Sequence, residues 1–186
     1  MSGVVIVGAA RTPVGAFGGG LSTVPAAELG TVAIREALAR AGVKPESVDE
    51  VILGQILSAG EGQNPARQAA LGAGIPNDKT AYLINQICGS GLRTVALGYQ
   101  SIAMGDADVI VAGGQENMSL APHVSHLRNG TKMGDVKFVD TMVKDGLWCA
   151  MNDYHMGNTA ENVAKKFDVS REDQDNFAAA SQQKAA

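Results

Sequence analysis

Four short apolar runs, Val4–Val7, Val51–Leu53 with Ile56–Leu57, Thr80–Ile84 and Val109–Ala112, constrain this chain more than any other feature. Each is too short for a buried helix and rich in β-branched residues, which suits strands buried on both faces. Between them lie segments with helical signals. Pro25 suits a first helical turn, and Leu29, Val32, Ala33, Ala37 and Leu38 recur at helical spacing until Gly42 supplies a stop. Asn64-Pro65 reads as a cap followed by proline at the first helical position, opening a short helix to about Gly72 or Gly74. A longer helix is expected from Cys88 or Gly89 to Met104, ended by Gly105. Strands alternating with helices mean βαβ units: an α/β fold with a mostly parallel sheet, right-handed crossovers and helices on both faces.

The pattern changes after Gly114. From Gln115 to Gly157 no strong periodicity survives, which in a compact domain marks a functional segment. Near its end Asn158-x-x-Glu161 and Ser170-x-x-Asp173 read as two helix starts. The last helix is still running at Ala186, and nothing there resembles a natural stop.

Composition excludes several functions. Of the 186 residues 45% are hydrophobic, with 23 glycines and a net charge of −4. That is apolar enough to fold, and without a basic run it argues against a nucleic-acid partner or an anionic membrane surface. No run of about 18 apolar residues predicts a membrane span. The start of the chain reads as a strand rather than a signal peptide. The two cysteines, Cys88 and Cys149, do not make a disulfide framework, and a reducing cytoplasm is the expected compartment.

The chemistry concentrates in Ile84-Asn85-Gln86-Ile87-Cys88-Gly89-Ser90-Gly91-Leu92-Arg93, where an apolar strand turns tightly into a helix. Such a turn points its residues out of the carboxyl edge of the sheet, where open α/β sheets keep their ligands, as in a nucleophile elbow. A thiol at a helix start meets the positive end of the dipole and unpaired N–H groups. Both favour the thiolate, and the same N–H groups suit the oxyanion formed when a thioester carbonyl is attacked. Gly89 and Gly91 clear side chains from around the sulfur, so Gly89, Ser90 and Gly91 are candidates for oxyanion or turn support. A free cysteine in an α/β core is more often an inert small hydrophobe, so position alone leaves both readings open.

The motifs settle the choice. Ile84-Asn85-x-x-Cys88-Gly89-Ser90-Gly91-Leu92 resembles the acyl-cysteine motif of the thiolases. The likeness continues in Arg11-Thr12-Pro13, Gly54-Gln55, Gly60 to Ala70, Gly113-Gly114-x-Glu116-x-Met118-Ser119 and Tyr154-His155-Met156-Gly157-x-Thr159-Ala160-Glu161-Asn162. It is greatest to the biosynthetic, acetyl-CoA-condensing branch.

The resemblance implies the N-terminal half of a layered αβαβα fold. Residues 1–118 would form the α/β domain and 119–186 the start of a loop domain, whose stretch near His126 to Met142 serves tetramer assembly, with a C-terminal domain absent. It implies a reaction in which Cys88 accepts an acetyl group from acetyl-CoA and a second acetyl-CoA attacks it, giving acetoacetyl-CoA. Leu147, His155 and Met156 match substrate-binding positions, and a homodimer or homotetramer is the expected assembly. Coenzyme A is part of the substrate, with no other cofactor and no metal.

The family's Gly-His-Pro histidine, its Cys-x-Gly cysteine and its Asn-Glu-Ala-Phe segment do not occur in these residues. The 186 residues alone are therefore expected to be inactive in condensation, and to self-associate or lose compact structure without a partner. A degradative 3-ketoacyl-CoA thiolase and a non-catalytic thiolase-like subunit are the alternatives.

Other residues carry less. Cys149 reads as a loop cysteine. His123 and His126, three apart, lack a third metal ligand nearby and read as loop or interface residues. Gly18-Gly19-Gly20 lacks dinucleotide-binding spacing. Met133, Met142 and Met151 read mostly as packing. Glu116 reads as a buried carboxylate bonded to backbone N–H groups.

Overall fold

The computed structural model describes residues 3–186. The chain falls into two compact units, the first running through Gly146 and the second being Leu147–Ala186. The boundary expected after Met118 lies inside the first unit, because the following residues are tied back into it: Gly18 N–H donates to Ser119 Oγ (3.0 Å), and Gly146 approaches Leu57.

The first unit is α/β. Its sheet has three parallel strands, β1 (Glu50–Gly54), β2 (Thr80–Ile84) and β3 (Ile110–Gly114), in the order β2-β1-β3. Side chains alternate between its faces. Val51, Leu53, Ala81, Leu83 and Val111 meet Ile34 and Leu38 of α1 (Ala26–Ala41) and Ala66, Ala69 and Ala70 of α2 (Pro65–Gly72) in one core cluster. The other face carries α3 (Ser90–Met104), where Gly98 lies against Ile110 and Ala112. Helices therefore cover both faces of the parallel sheet, as the alternation of apolar runs and helical stripes requires.

Several local expectations hold. Asn64 Oδ1 accepts from Arg67 N–H (3.1 Å) and caps α2, with Pro65 at its first position. Gly42 and Gly105 end α1 and α3 in the left-handed conformation. The amino ends of the strands are gathered by Asp49, whose Oδ2 accepts from Asp108 N–H (2.9 Å) and Val109 N–H (3.0 Å). Lys79 Nζ lies 3.5 Å from its other oxygen. These two N–H bonds, helped by Lys79, hold the Asp49 carboxyl below its ordinary value.

Three expectations fail. Val4–Val7 is not a strand. Among the described residues it has no ladder partner, Val5 and Ile6 are 72% and 80% exposed, and Gly8 packs instead against Ala37 and Ala41 of α1. Ile56 and Leu57 lie beyond the end of β1, their N–H groups donating to a side chain rather than to a ladder. Met133 and Met151 are 94% and 86% exposed and pack into nothing.

In the second unit, two short strands, Trp148–Cys149 and Tyr154–His155, pair antiparallel and are followed by α4 (Met156–Lys166) and α5 (Arg171–Ala185). Ser170 caps α5 as its spacing predicts, accepting from Asp173 N–H (3.1 Å). α4 begins at Met156, not at Asn158, because His155 takes the capping position. None of the residues Leu147–Ala186 is buried. Among the described residues no helix is long and apolar enough to cross a membrane.

Candidate active site

β2 ends at Ile84 and α3 begins at Ser90, so five residues make the turn and Cys88 stands two positions before the helix rather than at its first residue. Ser90 is buried and fastens the turn: its Oγ accepts from Gln86 N–H (2.8 Å) and donates to Ile87 C=O (2.6 Å). Asn85 Oδ1 accepts from Ile87 N–H (2.9 Å). Gly89 N–H donates to Gln86 C=O (3.1 Å) and Ser90 N–H to Ile87 C=O (3.0 Å). Gly89 and Ser90 thus support the turn, and their N–H groups are already engaged within it rather than presented to an oxyanion. Ile87 takes φ of +48°. A β-branched residue in that region carries strain of about 1–3 kcal/mol, which persists only where the surroundings impose it.

The surroundings here are the carboxyl ends of β1 and β3. A Cβ on Gly54 would lie 2.6 Å from Ser90 Cβ and 2.8 Å from Gly91 N. Only glycine lets the amino end of α3 sit so close to the strand. Thr94, fully buried one turn into the helix, donates through Oγ1 to Gly91 C=O (2.7 Å) and Gly113 C=O (3.0 Å). Cys88 is left exposed and unpaired by any disulfide. It lines an open cavity of about 350 Å³ with Gln55, Ile56, Ile87, Gln115 and Glu116.

The wall of that cavity is polar and cross-linked. Glu116 accepts from Ile56 N–H (2.8 Å) and Leu57 N–H (3.3 Å), as expected of a carboxylate bonded to backbone. Burial pushes its carboxyl above the ordinary value, and Glu61 adds to the rise, against the pull of the two N–H bonds. Gln115 Nε2 donates to Gln55 Oε1 (2.9 Å), and Gln55 Nε2 donates to Leu57 C=O (3.2 Å) and to the Glu61 carboxylate. Asn117, also buried, donates to Leu21 C=O (3.0 Å) and Val24 C=O (2.7 Å), anchoring the entry to α1. The roles of Gln55, Gln115, Asn117 and Thr94 escape a reading of the sequence. The available signal was polar residues set directly against an apolar strand and a Gly-Gly pair.

The other candidates belong to the second unit. Leu147 is half-buried and Met156 is 37% exposed. His155 Nδ1 accepts from Gly157 N–H (3.0 Å), which caps α4 and leaves Nε2 as the nitrogen available for donation. Cys149 accepts from Asn152 Nδ2 (3.2 Å), and this bond lowers the thiol's pKa below its ordinary value. His123 faces Asp140 across the β4 (His123–Val124) and β5 (Val139–Asp140) pair in the first unit, while His126 is exposed.

The structure thus sets an exposed thiol at a strand–helix turn, over the carboxyl ends of parallel strands, where α/β proteins keep their ligand sites. The chain belongs to the thiolase family: the model of the thiolase N-terminal domain matches residues 4–186. Among its relatives is the acetyl-CoA acetyltransferase of Rhizobium meliloti, 64% identical over 98% of this chain and 46% of the relative. The enzyme of the same name from Paracoccus denitrificans is 59% identical over 100% of this chain and 47% of the relative. A cytosolic acetyl-CoA acetyltransferase of Rattus norvegicus is 59% identical over 98% and 46%. The chain spans about half the length of the curated relatives it matches.

Proposed function

We propose that Cys88 is the acyl-accepting nucleophile of an acetyl-CoA C-acetyltransferase. The observation that carries this reading is the exposed Cys88 sulfur in a cavity at the carboxyl edge of the sheet, on a turn whose backbone is fastened from both sides. The Cys88 thiolate attacks the carbonyl carbon of acetyl-CoA, a C–S bond forms, and the tetrahedral intermediate expels the coenzyme A thiolate, which takes up a proton. Thioester is exchanged for thioester, so the step is close to thermoneutral and the acetyl group stays transferable. A second acetyl-CoA, deprotonated at its α-carbon, then attacks the acetyl-cysteine and releases acetoacetyl-CoA and the free thiolate.

Leu147, His155 and Met156 are assigned to substrate binding, and Nε2 of His155 is the ring atom left to donate. Gly89, Ser90 and Gly91 support the turn, with Gly91 the remaining oxyanion-side candidate of the three. Coenzyme A enters as part of the substrate, and the reading includes no metal and no further cofactor. The protein that carries this chain is assigned to the cytoplasm as a homodimer or homotetramer.

Acid-quenching the full-length protein during turnover and mapping the added acetyl mass tests the assignment. The expected result is one acetyl group on the peptide containing Cys88, with no label in Cys88→Ser and turnover lower by on the order of 10⁴-fold or more. An acetyl group on any other residue refutes it.

A further inference from the structure

We propose that Glu116 is a positioning residue for acyl transfer, acting through the backbone of Ile56, which lines the cavity beside Cys88, and of Leu57 next to it; the inference rests on the reading of Cys88 as acyl acceptor. The chain leaves the sheet at Gly54, and only Gln55 N–H continues the ladder, donating to Ile84 C=O (3.1 Å). The next two N–H groups donate instead to one carboxylate, that of Glu116, at 2.8 and 3.3 Å. Glu116 stands two residues beyond the end of β3, on the far side of β1 from β2 and the thiol-bearing turn that follows it. It therefore holds a part of the cavity wall that lies beyond the end of β1.

Gln115 braces the same segment from the neighbouring position, through Gln55. Two N–H bonds to one half-buried carboxyl group hold the segment from a single point. Such a wall matters because thioester attack demands close alignment. A displacement of about 1 Å in a positioning group is able to cost roughly 100-fold in rate.

The test uses the full-length protein with Glu116→Gln, Glu116→Asp and Glu116→Ala. The rate of single-turnover acetylation of Cys88 is measured against acetyl-CoA concentration. Alkylation by iodoacetamide, a reagent too small to use the wall, is measured beside it, together with amide exchange at Ile56 and Leu57. Glu116→Ala is expected to speed exchange at both amides and to lower the limiting acetylation rate by roughly 10- to 100-fold, with alkylation within about twofold of wild type. Glu116→Gln, whose amide oxygen still accepts both N–H groups, is expected to recover most of the rate. Glu116→Asp keeps the charge but not the reach, so it is expected to behave like Glu116→Ala, and it serves if the alanine variant does not fold.

Acetylation at the wild-type rate in Glu116→Asp or Glu116→Ala, despite faster exchange, overturns the proposal and leaves a structural staple. So does an equal slowing of alkylation, which places the effect on the thiol itself. A wild-type protein that alkylates but never acetylates fails differently, without any substitution, and overturns the acyl-acceptor reading first.

Discussion

The two turns that present the candidate residues share local fastening and differ in what surrounds it. The Cys88 turn has its own hydrogen bonds through Asn85 and Ser90 and, beyond them, a frame from distant parts of the chain: Gly54 receives the amino end of α3, Thr94 ties that helix to Gly113, and Glu116 pins the facing wall. The His155 turn is held by near neighbours. Trp148 Nε1 donates to Asp153 Oδ1 (2.9 Å), Asp153 N–H donates to Cys149 C=O (2.8 Å), and His155 caps its own helix. The first unit also has a core, with Val48, Val51 and Ile52 fully buried, whereas the second buries no residue and exposes Phe167 and Phe177. The geometry at Cys88 is therefore only as firm as the tertiary packing around it, and that at His155 only as firm as a few local hydrogen bonds. Disturbing the first site should register as a cooperative loss of fold, and disturbing the second as fraying.

Gly54→Ala gives the largest expected break. The added methyl meets Ser90 Cβ and the backbone of Gly91, neither of which is a flexible end. A loss of about 2–3 kcal/mol in chemical denaturation is expected, with slower alkylation of Cys88 as the turn moves. An unchanged unfolding midpoint would show that the Cys88 turn is not held by the sheet.

Thr94→Val comes next. It keeps the shape and removes the hydroxyl that donates to two backbone carbonyls in a fully buried place. A cost of about 1–3 kcal/mol is expected, seen in denaturation and as faster exchange in the first turn of α3.

Ser170→Ala sharpens the other half of the comparison. Losing the cap should cost α5 about 1 kcal/mol of local stability. The effect is read as faster amide exchange over its first turn, with the global midpoint unmoved. A shift of the global midpoint would mean that the second unit shares the cooperativity of the first.

Acid gives the smallest effect. The Asp49 carboxyl is lowered in the folded state, so its contribution is present above the unfolded value of 3.8 and is lost as pH falls through the folded value. Wild type should lose slightly more stability than Asp49→Asn on titration below about pH 4, compared by their denaturation midpoints, and equal slopes would remove Asp49 from the account.

The same contrast explains what the sequence disclosed. β2, α2, α3 and the caps at Asn64 and Ser170 are legible because periodicity and capping chemistry are properties of neighbouring residues. Val4–Val7 misleads because a β-branched run reports an appetite for burial without naming a ladder partner. Ile56 and Leu57 mislead likewise, since nothing local says that their N–H groups turn to a carboxylate sixty positions away. The strand–helix turn that carries Cys88 was legible in its motif, but the wall built by Gln55, Gln115 and Glu116 depends on which strands end side by side. That follows from the sheet order β2-β1-β3, which spacing along the chain does not reveal.

The close seat of α3 on Gly54 has a practical consequence for anyone reshaping the cavity beside Cys88. Its floor is closed to redesign, because the strand end there admits no side chain at all. Ile56 also lines the cavity and is held there through its amide by Glu116, so a library that reshapes the cavity is best begun at its side chain.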